Sequence, residues 1–243
     1  MLKKTILTLP LAAFGLAQMA SAAVTVSSTA PSVDLLVNND SGGTYSRLFD
    51  EDNSTNHARG NGFSLGTGTD ATFTTYEISA ITISKNGDQT FDSDTMTLRI
   101  YQGTTAQFDT GTGHTTATNG SDYYVGTTVT PLYTEAFTID GLISNGDYVT
   151  FELATPITVT ENSDFGFFFT YDESAASSPD YFQYNEGGYN ATYGGRTSIS
   201  TTAHITTTSR TTRFIIQGTE VVPEPSAALL GAFGMLGLLR RRR

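Results

Sequence analysis

The 243-residue chain has no cysteine and no tryptophan, only three histidines, and just 15% charged residues. Without cysteine there is no disulfide, no thiolate nucleophile and no cysteine-ligated zinc or iron–sulfur centre, so stability must come from an ordinary packed core. The histidines, His57, His114 and His204, each stand among polar residues and none is at metal-ligand spacing with another. A serine-nucleophile elbow is not expected. Lysine and arginine are also scarce. Six of the 13 basic residues (Lys3, Lys4 and Arg240 to Arg243) lie at the two ends, which leaves the body with seven basic and 23 acidic residues, a net charge of −16. Such a surface repels phosphate backbones, so nucleic-acid binding is excluded first.

What is abundant is Thr, Ser, Gly and Asn together with Phe and Tyr, a composition that favours strands and turns over helices. With 38% hydrophobic and 11% aromatic residues, a core of reasonable size is available. Period-two alternation is clearest at Met96, Leu98 and Ile100, whose neighbours Thr95, Thr97, Arg99 and Tyr101 take the other face. The same alternation recurs at Ile81 and Ile83, at Val149, Phe151 and Leu153, at Ile157 and Val159, and at Phe165, Phe167 and Phe169. Turn clusters separate these runs: Asn86-Gly87-Asp88, Asp140-Gly141, Asn145-Gly146-Asp147 and Glu161-Asn162-Ser163. A last strand is expected at Thr211 to Gly218, while 109–122 and 174–197 read as long loops. No repeat at solenoid or propeller spacing is present. The expected fold is all-β: one antiparallel β-sandwich, arranged as a jelly roll, over residues 24–220.

Residues 1–23 carry the marks of a secretory signal peptide. Lys3 and Lys4 precede an apolar run from Thr5 to Ala20, and Ala20-Ser21-Ala22 supplies the small residues that signal peptidase accepts. At the other end, 221–243, Val222-Pro223-Glu224-Pro225 is followed by the uncharged run Ala227 to Leu239 and then by Arg240, Arg241, Arg242 and Arg243. The apolar run is shorter than the ~20 residues of a spanning helix. A short C-terminal helix that inserts transiently, with arginines on the cytoplasmic side, is the expectation.

That tail resembles the PEP-CTERM sorting signal of Gram-negative bacteria, with its three parts in the same order. The resemblance implies recognition and cleavage by a membrane-embedded exosortase, a transpeptidase, and delivery to the outer surface or extracellular matrix. It implies that Pro223, Glu224 and Pro225 form the recognition motif, and it is silent on the body. The run Asn61 to Gly66, the strand near Ile81 and Ile83, LRIYQG and the late aromatic strand are similar to jelly-roll domains often found ahead of such tails.

Three ligand chemistries suggest themselves in the body. Asp50, Asp52 and Asn53, in the run Phe49 to Asn56, offer the hard oxygen ligands that Ca²⁺ prefers, with help from Asp92 or Asp94, although the spacing is not that of an EF-hand; a solvated acidic loop is the competing reading. Tyr181, Tyr184, Tyr189 and Tyr193 could present ring faces to a pyranose, with Gln183, Asn185 and Glu186 bonding its hydroxyls; tyrosines packed onto a sandwich are the alternative. A glycan-active hydrolase needs two facing carboxylates, whose separation is a three-dimensional quantity. The reading adopted is a non-enzymatic surface or matrix protein of structural or adhesive role, in an exopolysaccharide or biofilm setting, with a carbohydrate-binding module as the alternative.

Overall fold

A computed structural model describes residues 21–40, 45–49, 58–65, 75–103, 131–160, 164–174, 178–188, 196–199, 204–207 and 210–221. These residues form fourteen strands and, among them, no helix. In chain order they are β1 (Ala23–Ser27), β2 (Leu35–Asn39), β3 (Tyr45–Phe49), β4 (Ala58–Ser64), β5 (Thr75–Ser84), β6 (Gln89–Gly103) and β7 (Tyr133–Ile143). There follow β8 (Tyr148–Thr160), β9 (Asp164–Asp172), β10 (Phe182–Gly188), β11 (Arg196–Ile199), β12 (His204–Thr207), β13 (Arg210–Thr212) and β14 (Phe214–Val221). Every pairing is antiparallel.

Two large sheets carry the core, one ordered β1-β8-β5-β14-β2 and the other β12-β11-β4-β9-β6-β7, with a small β13-β10-β3 sheet beside them. Alternation decides which side chains go inward. From the first sheet come Ile81, Ile83, Val149, Phe151, Phe214 and Ile216; from the second, Phe63, Phe165, Phe167, Phe169, Met96, Leu98, Ile100 and Phe137, all buried in one cluster. Ring contacts stitch the sheets together: Phe151 lies 4.6 Å from Phe169 and 5.3 Å from Phe137, and Phe214 lies 5.1 Å from Phe167. Each such buried ring contributes about 1.5–3 kcal/mol.

The long strands predicted from period-two alternation are present, with four differences. Ile157 and Val159 continue β8 and do not start a strand of their own; a register shift between Ile78 and Ala80 on the partner β5 absorbs the irregularity. Asp140-Gly141 lies inside β7, opposite a bulge in β6 between Phe91 and Asp94 where Ser93 has a φ of 56°. The segment 174–197, expected as a loop, holds β10 and the first residues of β11. Its Gly and Asn residues suggested turns, yet Phe182, Tyr184 and Glu186 alternate inward. The final strand also breaks: β13 ends at Thr212 and β14 begins at Phe214, in different sheets, with Arg213 at the switch.

Gly60 in β4 is a point where the sheet tolerates no side chain, because a Cβ there would land on the backbone carbonyl of Phe167. Gly141 has open space around it but a φ of 79°. In urea melts Gly60→Ala is expected to cost about 3 kcal/mol or more, since backbone must shift, and Gly141→Ala about 1 kcal/mol from the left-handed backbone alone. Equal losses at the two sites would contradict this packing.

Candidate functional site

Among the described residues two clusters of buried polar groups stand out, and both begin where a strand leaves its ladder. At the first, β5 ends and the chain enters Lys85-Asn86-Gly87-Asp88, which packs against the sister turn Asn145-Gly146-Asp147. The two Asn-Gly-Asp turns interlock. Gly87 N–H donates to Asn145 Oδ1 at 3.0 Å, and Asn145 N–H donates to Asp88 Oδ1 at 2.7 Å. Lys85 N–H donates to Asp147 O at 2.7 Å and Gly146 N–H to Lys85 O at 3.1 Å. Gly87 and Gly146 both have positive φ, which glycine adopts without the strain a Cβ would bring.

Asn185 of β10 closes this junction. Its Nδ2 donates to Lys85 O at 2.6 Å and Ser84 Oγ at 2.9 Å, while its Oδ1 accepts from Asn86 Nδ2 at 2.7 Å. The carboxamide is buried with both N–H groups engaged. The Asn185 carbonyl accepts from Arg213 N–H at 3.1 Å. Arg213 in turn places Nε and Nη2 on Asp40 Oδ1 at 3.0 and 2.7 Å, and Tyr148 donates its hydroxyl to the other Asp40 oxygen at 2.6 Å. Burial, reinforced by Asp40, pushes the Tyr148 hydroxyl up. Deeper still, Asn39 Nδ2 reaches Thr212 O at 2.7 Å and Thr212 N–H reaches Asn61 Oδ1 at 3.2 Å, so both side chains serve the backbone of β13.

Lys85 is the unusual member. Its side chain is fully buried, with Nζ donating to Asn86 O at 2.7 Å and Gly87 O at 2.9 Å, and lying 5.2 Å from the centre of the Phe182 ring. Desolvation pushes its pKa from the ordinary 10.5 down to about 7, against the pull of Asp88. An amine of that kind is nucleophilic in chemistry that has access to it. Here access is missing: the side chain is fully buried and its nitrogen caps two turn carbonyls. The neighbouring gap among Arg59, Gly60, Ile83, Phe167, Phe169, Tyr184 and Thr212 is too tight to admit water.

The second cluster surrounds Asp94, brought inward by the β6 bulge. Its carboxylate accepts from Ser174 N–H at 2.7 Å, from the Tyr171 hydroxyl at 3.0 Å and from Asp92 N–H at 3.2 Å. Tyr171 shares its proton with the carbonyl of Pro179, 2.7 Å away, and the Ser174 hydroxyl donates to Asp92 O. Burial alone pushes Asp94 up, but these donors outweigh it and hold it below the usual carboxylate range. Burial and Asp94 together push Tyr171 far above the usual phenol range. This carboxylate is a structural acceptor at a strand irregularity, with its lone pairs engaged by protein donors.

Tyr184, placed in the sugar platform by sequence, is corrected by the structure. Its ring is 2% exposed, its hydroxyl donates to Glu186 Oε1 at 3.1 Å, and burial with the nearby Glu186 carboxylate pushes that hydroxyl well up. A buried ring offers no face to a pyranose. Tyr181 is half-buried and its carbonyl accepts from Gln89 Nε2 at 2.9 Å. Tyr189 and Tyr193, the calcium candidates Asp50, Asp52 and Asn53, and the sorting residues Val222, Pro223, Glu224, Pro225 and Arg240 to Arg243 lie outside the described residues. No group of three or more His, Asp or Glu among the described residues could hold an ion.

Gly62-Phe63-Ser64-Leu65-Gly66 does carry the Gly-x-Ser-x-Gly spacing, contrary to the expectation that none would be found. Ser64, however, is the last residue of β4, laddered opposite Asp164 of β9. The catalytic form of this motif needs a sharp strand-to-helix turn, which a laddered residue does not occupy. Sequence reasoning passed over Lys85 and Arg213, and it named Asn185 only as a sugar contact and Asp94 only as help for calcium, not as partners of the backbone. Asp94 had a usable signal: it shares the parity of Met96, Leu98 and Ile100, so alternation already pointed it inward. No protein-family model, no curated protein and no solved structure matches the chain.

Between pH 7 and 10.5 the unfolded chain protonates Lys85 while the folded chain leaves it neutral, so protonation favours unfolding. Stability is therefore expected to rise as pH climbs from about 7 toward 10, by roughly a few kcal/mol, before the raised tyrosines reverse the trend. Lys85→Met should flatten that rise in urea melts across the range; an unchanged slope would contradict it. For Asp94 the sign is opposite. Its contribution is complete above the ordinary carboxylate range and is lost as pH falls through its lowered pKa, so Asp94→Asn is expected to weaken the acid-dependent part of unfolding.

Proposed function

We propose that this chain is an exported bacterial surface or extracellular-matrix protein with a structural or adhesive role, not an enzyme, and that its body is a jelly roll. One observation carries the routing: a PEP motif, an apolar run and four terminal arginines in order at one end, opposite Lys3, Lys4, an apolar run and Ala20-Ser21-Ala22 at the other. The ladder fits between these signals. Its first residue, Ala23, directly follows the small-residue cleavage site, and its last, Val221, directly precedes the motif. Signal peptidase and an exosortase are the partners this implies, with a transient stay of the tail in the inner membrane.

The jelly-roll reading is supported by connectivity. The strands β2-β14-β5-β8 face β4-β9-β6-β7. Along these eight strands in chain order, every connection crosses between the sheets except β6 to β7, which are neighbours in one sheet. That is the wrapping of two nested Greek keys. A structural role is supported by where the polar side chains point: Lys85, Asn185, Asp94 and Arg213 satisfy backbone groups and one another. The same acidic exterior that repels nucleic acid suits a hydrated, polysaccharide-rich matrix. A calcium site at Asp50, Asp52 and Asn53, or sugar contact through Tyr181, Tyr189 and Tyr193, belongs to this reading as a ligand for the loops.

The routing is tested in the producing cell. Replacing Pro223, Glu224 and Pro225 together by alanine is expected to leave the chain unprocessed in the membrane fraction, while the unaltered chain appears outside the cell, shortened at its C-terminus. Equal release of both would overturn the sorting assignment.

A further inference from the structure

Both ends of the described ladder point to one end of the body. β14 finishes at Val221, on the rung it shares with Thr75 of β5, and Thr75 is paired in turn with Thr160, the last residue of β8. Residues 161–163 join Thr160 to Asp164 of β9, which stands opposite Gly103, the last residue of β6. These ends form one pole. The other pole holds the interlocked turns at 85–88 and 144–147. β1 is parallel to β5, through its antiparallel pairing with β8, so its N-terminal end also faces the Thr75 pole.

On the C-terminal side little chain lies between the ladder and the apolar run. Five residues, 222–226, separate Val221 from Ala227, where the uncharged run before the four arginines begins. Pro223 lacks the N–H that a further rung would use. The six steps from Val221 to Ala227 reach at most about 20–22 Å. Between the poles, the nine steps of β5 from Thr75 to Ser84 measure about 30 Å. A tether shorter than the body cannot turn the far pole toward the point where the apolar run begins. Nor does the ladder readily lengthen it. Gly218 N–H donates to Asp34 O at 2.8 Å, and the backbone of Glu77 closes on Gly218 so tightly that a Cβ there would meet its carbonyl.

We infer, resting on the reading of the tail as a membrane-inserting segment, that the pole formed by Thr75, Thr160 and Val221 is the face the folded body turns to a lipid surface, and that the Lys85–Asn185 junction points away from it. An uncharged run ended by four arginines fits that surface. The tether does the holding, because Glu77 and Glu220 are exposed at this pole and anionic headgroups repel such acids. The far pole is then the outward face. Tyr181 belongs to it, since its carbonyl accepts from Gln89 Nε2 at the start of β6. A partner met through Tyr181 therefore approaches from the side opposite the membrane.

Energy transfer to a membrane dye tests the orientation. The chain has no cysteine, so one introduced thiol carries one fluorescent donor. Thr160→Cys marks the near pole, and Leu142→Cys, at a residue 64% exposed and paired with Thr90 near the start of β6, marks the far one. Each full-length variant is reconstituted into phosphatidylcholine vesicles that hold an acceptor dye at the headgroups. The donor at 160 is expected to lose most of its emission to the dye, and the donor at 142 to keep most of its own. Val26→Cys, on the β1 edge and level with Ile83, is expected to behave like the donor at 142. Transfer from 142 as strong as from 160 would overturn the orientation while leaving the inserted tail in place. Transfer from 26 as strong as from 160 would mean that the body lies on its edge, and would overturn it equally. A chain that does not stay with the vesicles would overturn both the inserted tail and the orientation built on it.

Discussion

A backbone amide or carbonyl that leaves a ladder inside a protein must find another partner, because burying it unpaired costs about 1–3 kcal/mol. This constraint governs the end of the molecule where the three sheets meet. There β5 stops, β8 starts, β10 crosses beside them and the chain switches sheets between β13 and β14. The backbone groups released by these events are taken up by a few side chains: Asn185 on Lys85 O, Lys85 Nζ on two turn carbonyls, Asn39 and Asn61 on Thr212. The seam of aromatic and aliphatic side chains between the two large sheets supplies the apolar burial, but the two sheets keep their registers at this end because these polar groups have single acceptable positions.

Arg213 shows how the constraint acts on topology. A continuous strand from Arg210 to Val221 would need one straight sheet, yet its first part pairs with β10 and its second with β5 and β2. The switch residue keeps both backbone bonds, N–H to Asn185 O and C=O from Ser84 N–H, while its guanidinium holds Asp40 at the end of β2. The chain thereby turns a corner without leaving a buried donor unmet. Asp94 does the same on a smaller scale at the β6 bulge, accepting the amides of Asp92 and Ser174. In both places an ionisable residue that could have been taken for a site is occupied with structure.

The core was legible in the sequence because burial on one face of a strand imposes period two. Met96, Leu98, Ile100, Phe165, Phe167 and Phe169 announce themselves that way, and all are buried. The polar junction was not legible, because it depends on residues far apart in sequence meeting at strand ends: Asn185 with Ser84 and Lys85, Arg213 with Asp40. Composition is a poor guide at 174–197, where Gly, Asn and Tyr suggest a decorated loop, although Phe182, Tyr184 and Glu186 keep a strand's parity. For the same reason Tyr184 looks like a surface ring in the sequence and is a core ring in the fold. The paired Asn-Gly-Asp turns could be read as turns, but not that each would supply the other's hydrogen bonds.

The central claim is that the junction around Asn185 and Lys85 is part of one cooperative structure with the aromatic seam, and not a locally opening site. Native-state amide hydrogen exchange tests it most directly. The account predicts that the amides of Lys85, Gly146 and Arg213 exchange only with global unfolding, as slowly as those of Ile81 and Phe151 in the seam. Exchange of the junction amides at markedly lower free energy than the seam would contradict it, and would mark this end of the molecule as a region that opens on its own.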